Sequence, residues 1–219
     1  MAERPLKLDI YREFARIGQA LASEARLLLL DLLAQAPRHV DALASLTGMS
    51  VANVSQHLQV LRGAGLVESD REGTKKRYRL ADERVLQLWI SLQSTGEKRL
   101  AEVERLTREH PLSGSRDSEL PREEVGGLVK RGEAVLIDVR PALEFEHGHV
   151  PGAVSLPIEE LEARIGELPR DRPVVAYCRG TYCLEADEAV AALRKRGFDA
   201  HRLEGGWPEW QAEGRPVVG

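Results

Sequence analysis

Apolar periodicity changes character once along this chain, and the change coincides with a segment bounded by two prolines, Pro111 to Pro121. Before that segment, apolar residues recur at the three-and-four spacing of helices. After it, short continuous apolar runs alternate with helical stretches. The small and polar residues between the prolines have linker composition. Two domains are therefore expected, at residues 1–110 and 121–219, joined by a linker at 111–120.

In the first half, Ile10, Phe14, Ile17 and Leu21 mark one helix, and Ser23 is placed to cap a second running through Leu27 to Leu33. Val40 to Leu46 makes a short third, and Gly48 supplies a turn. Ser50 caps a fourth helix with Val51, Val54, Leu58 and Leu61 on its inner face, ended by Gly63 and Gly65. Leu66 to Glu68 and Lys76 to Leu80 read as strands joined around Glu72 and Gly73. Val85, Leu88, Trp89, Leu92, Leu100, Val103 and Leu106 mark one face of a long closing helix. In the second half, Ala134 to Val139, Val174 to Tyr177 and, more weakly, Ala200 to Leu203 are strand-like. Leu184 to Arg196 is amphipathic, with Ala186, Ala189, Val190 and Leu193 inward. The fold class predicted is a mainly α winged helix-turn-helix followed by an α/β domain whose parallel sheet is covered by helices on both faces.

Charge is unevenly spread. Residues 1–110 carry 17 Lys and Arg against 15 Asp and Glu, and residues 111–219 carry 14 against 20. This excludes a uniformly basic nucleic-acid coat but leaves room for a local basic patch. The longest apolar stretch, Leu27 to Leu33, is interrupted by Asp31 and is too short to span a bilayer, so no membrane association is expected. Met1 to Pro5 offers no apolar export signal, and two cysteines do not suggest a disulfide scaffold. A cytoplasmic protein with a working thiol is expected.

The layout of short helix, glycine turn, second helix and hairpin suits a reader of double-stranded DNA. Ser50, Asn53, Ser55, Gln56, His57 and Gln59 on the second helix are types that reach base edges. Arg71, Lys75, Lys76 and Arg77, with Arg79, place cations on the hairpin for phosphate contacts. A merely solvated polar face is the alternative. The segments Leu27 to Leu33, Met49 to Leu58, Leu61 to Val67 and Arg71 to Leu80 resemble the ArsR/SmtB repressors over roughly residues 8–110. That resemblance implies a homodimer formed through the first and last helices on a partly palindromic operator. Many members sense metals through cysteines of the first reader helix or Asp/His clusters on the closing one. Asp41 to Thr47 contains no cysteine, and residues 82–109 contain no histidine, so no metal site is expected here. The cysteines of sulfide-responsive members are absent from this half as well.

Both cysteines lie in Cys178-Arg179-Gly180-Thr181-Tyr182-Cys183, behind the apolar run Pro173 to Tyr177. A strand leading through such a loop into a helix favours an anion, because loop N–H groups and the helix N-terminus converge there. Gly180, Thr181 and Tyr182 would cradle a persulfide on Cys178, with Arg179 as a neighbouring cation. Leu136 to Ala153 and Glu204 to Trp210 resemble the first and closing signatures of rhodanese domains, with Cys178 where that family carries its catalytic cysteine. The likeness covers about residues 118–217. It implies sulfurtransferase activity on a sulfane-sulfur donor such as thiosulfate, polysulfide or persulfide, with Cys178 as nucleophile and no cofactor.

Asp138 and Arg140, at a strand's carboxyl end, either serve the site or form a buried ion pair. Cys183 either resolves the persulfide or starts the next helix as a small residue. His149 and Gly148 are expected in a turn, and Trp207 and Trp210 in the core. Leu184 stands six beyond Cys178, where Cys-x5-Arg phosphatases and arsenate reductases carry arginine, so those activities are disfavoured. The expected function is a repressor whose second domain senses or transfers reactive sulfur through a Cys178 persulfide. A sulfurtransferase with an uncoupled DNA reader and an inert interaction module are the alternatives.

Overall fold

Leucine-rich helical spacing builds the first part of the molecule. The computed structural model describes residues 6–109 and 119–219. Backbone packing divides the chain into two units, Met1–Trp89 and Ile90–Gly219. In the first, α1 (Leu6–Leu21) and α2 (Glu24–Gln35) lead through β1 (Arg38–His39) into α3 (Val40–Thr47) and α4 (Val51–Gly63). The hairpin β2 (Val67–Glu72) and β3 (Lys75–Leu80) follows, then α5 (Glu83–Arg99), within which the division between the units falls. Leu29, Leu30, Leu33, Leu43, Val54, Leu58, Leu61 and Tyr78 form the core. Ser50 caps α4 as expected, its hydroxyl accepting the Asn53 N–H at 3.2 Å. Ser23 occupies the N-cap of α2 but makes no side-chain cap bond.

Three details of this half differ from expectation. Val51 points outward, 54% exposed, because the first turn of α4 projects beyond the core that Val54, Leu58 and Leu61 fill. The closing helix is interrupted at Leu100, so α5 is followed by a separate α6 (Ala101–Glu109). The hairpin also gains a third strand, since the two-residue β1 pairs with β3 on the side opposite β2.

Of the linker expected at 111–120, residues 111–118 lie outside the described residues, while Glu119–Leu120 forms strand β4. The second unit continues with α7 (Arg122–Lys130), β5 (Val135–Asp138), α8 (Ala142–His147), β6 (Ala153–Ser155), α9 (Ile158–Arg164), β7 (Val174–Tyr177), α10 (Glu185–Lys195), β8 (Ala200–Leu203) and α11 (Trp207–Ala212). Its five strands are parallel in the order β4-β8-β7-β5-β6.

Successive residues of a strand face opposite sides, and the cores on the two faces follow that alternation. Ile137, Val174, Ala176 and Cys178 pack with Leu161 of α9 and with Ala186, Ala189, Val190 and Leu193 of α10. Leu136, Val175 and Tyr177 pack with Val125 of α7 and with Trp207 and Trp210 of α11. Both tryptophans are thus core, as expected. Among the described residues no helix is long and apolar enough to cross a membrane.

Candidate functional site

The fully buried strand β7 delivers Cys178 to the carboxyl edge of the sheet, and the chain turns through residues 179–184 into α10. Open parallel sheets place their sites at this edge. The loop is held from three sides. Arg202 of β8, 0% exposed, donates to the carbonyls of Gly180 and Thr181, both at 3.0 Å, and pairs with the buried Asp187 of α10 at 3.1 Å. Glu209 of α11 accepts the Thr181 N–H at 3.2 Å and its hydroxyl at 3.0 Å. The Trp207 N–H donates to the Cys178 carbonyl at 3.0 Å. Gly206 packs so closely that a Cβ there would lie 2.5 Å from both the Cys178 oxygen and the Gly180 nitrogen.

Within this frame the two sulfurs are unequal. Cys178 is 0% exposed, whereas Cys183 is partly exposed. The Cys178 thiol donates to the Cys183 carbonyl oxygen at 3.4 Å. Burial pushes the Cys178 thiol well up, reinforced by its neighbour Cys183 and only partly offset by Arg202 and the Ala186 N–H at the start of α10. The neighbouring Cys178 thiol holds Cys183 below the ordinary thiol range against the cost of its own burial and the Glu185 charge, helped by the N–H groups of Arg179 and Glu185. The Cys183 thiol also lies 3.6 Å from a Glu185 carboxylate oxygen. Burial raises the Glu185 carboxyl, with Arg179 opposing the shift.

The residues expected around Cys178 take several roles. Arg179 is gripped by Glu144, itself fully buried, through three contacts of 2.9–3.0 Å, and reaches Glu185 at 3.2 Å. Burial works against its charge, yet Glu144 outweighs that and its pKa is raised. Gly180 and Thr181 offer their carbonyls to Arg202, and the Thr181 N–H is engaged by Glu209. Tyr182 is 41% exposed. Asp138 and Arg140 form a fully buried pair, with Nη2 of Arg140 2.6 Å from the carboxylate and 2.7 Å from the Gly148 carbonyl. The guanidinium lies over the Trp207 ring at 4.9 Å. They brace the ends of β5 and α8 against the core. His149 makes an isolated bridge to Val218 and stacks on Phe145.

Glu144, Glu185, Asp187, Arg202 and Glu209 are the site residues that sequence reasoning missed. Only Glu144 and Glu209 had a signal, since they lie inside the first signature and the closing tryptophan motif.

On the reader unit, Asn53, Gln56 and Gln59 are exposed on α4 while Ser55 and His57 are half-buried. Ser50 spends its hydroxyl on the cap. Lys75 pairs with Asp41 at 2.6 Å, and Arg79 with Glu68 and Asp70. Arg71, Lys76 and Arg77 make no ion pair among the described residues, which leaves them as the hairpin's available cations.

The family model for rhodanese-like domains matches residues 122–213, and that for bacterial regulatory proteins of the arsR family matches residues 23–69. The chain is 43% identical to the HTH-type transcriptional regulator Rv0324 of Mycobacterium tuberculosis over 211 residues, which is 96% of this chain and 92% of that one. It is 34% identical to a sulfurtransferase of Allochromatium vinosum over 92 residues, 42% of this chain and 84% of the other. Among solved structures, a homodimeric winged helix-turn-helix domain of a possible ArsR-family regulator from Mycobacterium bovis shares 42% identity. It covers 46% of this chain and 93% of that chain with a TM-score of 0.43.

Proposed function

The chain belongs to the ArsR-family helix-turn-helix transcriptional regulators that carry a rhodanese-like domain behind the DNA reader, and from that premise we propose that it is a repressor controlled by sulfane sulfur taken up as a persulfide on Cys178. The observation that carries this reading is the placement of the thiols. The reader has none, and both cysteines of the chain share one loop at the carboxyl edge of the parallel sheet. The sulfurtransferase activity named for the Allochromatium vinosum relative supports sulfur handling by this unit.

In this reading α4 enters the major groove with Asn53, Gln56 and Gln59 toward base edges, and Arg71, Lys76 and Arg77 contact phosphates. Two copies associate through α1 and the closing helices, whose Leu6, Phe14, Leu88 and Leu92 are 74%, 63%, 39% and 38% exposed in the single chain. A two-fold dimer reads a matching two-fold operator.

The test is binding of the reduced protein to the DNA upstream of its own gene, repeated after sodium polysulfide treatment with peptide mass spectrometry. A coupling of about 1.4 kcal/mol appears as a tenfold change in affinity. Lys76→Ala should weaken binding at every sequence and reduce the salt slope by about 1. Sulfur on Cys178 with unchanged operator affinity would overturn the regulatory reading and leave a sulfurtransferase with an independent DNA reader.

A further inference from the structure

The nucleophile expected at Cys178 is sealed from solvent, while the second thiol of the same loop belongs to a partly exposed residue. We propose that Cys183 is the thiol that meets the sulfur donor and that it relays the sulfur inward to Cys178, an inference that rests on reading this loop as the sulfane-sulfur site.

Three observations place Cys183 first. The residue is partly exposed where Cys178 is not. The N–H groups of Arg179 and Glu185 favour its thiolate, against the opposing burial and Glu185 charge. Its thiol lies 3.6 Å from the Glu185 carboxylate, which is positioned to accept the proton when the thiolate forms. Cys178 has the opposite character. Packed behind Ala186 and Ala189 and hydrogen-bonded to Cys183, it stays protonated, and it is protected from further oxidation by the same burial.

The chemistry balances without an added oxidant beyond the donor. The Cys183 thiolate attacks the terminal sulfur of a hydropersulfide, RS–SH. The S–S bond of the donor breaks, RS⁻ leaves, and Cys183 carries –S–SH. Cys178 then attacks that outer sulfur. The new bond joins Cys178 Sγ to the sulfane sulfur, the bond to Cys183 Sγ breaks, and the Cys178 proton passes to the departing Cys183 thiolate. Cys183 suits the role of leaving group because the surroundings that lower its pKa also stabilise the departing thiolate.

The experiment uses the full chain with sodium polysulfide as the probe, quenched with iodoacetamide at intervals and read by mass spectrometry of the peptide containing both cysteines. In the unaltered protein one added sulfur should settle on Cys178. Cys178→Ser should trap the sulfur on Cys183. Cys183→Ser should slow uptake at Cys178 by at least about tenfold, because the donor would then have to reach a thiol that is 0% exposed. Competitive alkylation of the unaltered protein checks the same order without a variant, and Cys183 should react first.

Uptake at Cys178 in Cys183→Ser at the original rate, or first alkylation at Cys178, would overturn the relay. No sulfur on either cysteine of the unaltered protein would overturn both the relay and the sulfur-responsive reading. Sulfur relayed with no change in DNA binding would overturn only the latter.

Discussion

Arg202 is the residue whose removal most directly separates what holds the second unit together from what shapes its loop. It is fully buried, pairs with Asp187 at 1% exposure, and donates to two loop carbonyls. Arg202→Met removes the guanidinium that lies 3.1 Å from the buried Asp187 carboxylate and 3.6 Å from that of Glu119, a loss on the order of 3–5 kcal/mol. The double variant Arg202→Met with Asp187→Asn removes the stranded charge as well, and should keep only the cost of unmet polar groups, about 1–3 kcal/mol. Urea unfolding followed through Trp207 and Trp210 in a Trp89→Phe background reads both. With a slope of about 2 kcal/mol/M, the single variant should lower the midpoint by roughly 2 M and the double by about half that or less. Because both variants lack the donor to Gly180 and Thr181, both should expose Cys178 to alkylation, although only one is severely destabilised. A single variant that costs under about 1 kcal/mol, or a double no more stable than the single, would refute the buried-pair argument. Recovery of Cys178 protection in the double would refute the anchoring role.

Two further outcomes follow from the same loop. Gly206→Ala must drive the backbone of Cys178 and Gly180 away, since the added carbon would lie 2.5 Å from each. A loss of about 1–3 kcal/mol is expected in urea together with faster alkylation of Cys178. Gly166→Ala, with nothing within 4 Å, should be nearly neutral and serves as the control. The thiols also carry opposite pH signatures. Cys178, raised in the fold, adds stability that is present below its unfolded value near about 8.5 and is lost at up to roughly 1.4 kcal/mol per pH unit above it. Cys183, lowered in the fold, adds stability present above the unfolded value and lost as pH falls through its folded one. Cys178→Ser should therefore flatten the alkaline decline in unfolding midpoint, and an unchanged decline would contradict the assignment.

How much of this was legible in the sequence depended on how local the determinants were. The helices of the reader and strands β5 and β7 announced themselves because their apolar residues recur over a full element. β1, β4 and β6 span two or three residues, too few to show alternation, and owe their existence to the neighbours they pair with. β8 was faint because Arg202 interrupts its apolar pattern, yet that arginine anchors the loop. The loop itself was visible because both sulfurs lie within six residues. The groups that hold the loop come from α8, α10, β8 and α11, and only the sheet order that seats β8 beside β7 brings them to one place. Val51 shows the converse: its spacing was right for the core, but the core ends before the helix does.

Control of DNA binding by sulfur carries a thermodynamic obligation that can be tested without any substitution. If persulfidation of Cys178 changes the operator affinity by some factor, operator DNA must change the persulfidation equilibrium by the same factor in the corresponding direction. The reciprocity governs equilibria and not rates, so the quantity to measure is the fraction of Cys178 carrying sulfur in a fixed thiol/persulfide buffer. A tenfold weakening of operator binding by sulfur, about 1.4 kcal/mol, requires that saturating operator lower the persulfide-to-thiol ratio about tenfold. DNA of unrelated sequence at a concentration that does not saturate the reader should leave the ratio unchanged. An operator-induced shift equal to the independently measured affinity change would establish that the reader and the sulfur loop share one conformational equilibrium. An affinity change without the matching shift would mean that polysulfide weakens DNA binding by some route other than the sulfur on Cys178.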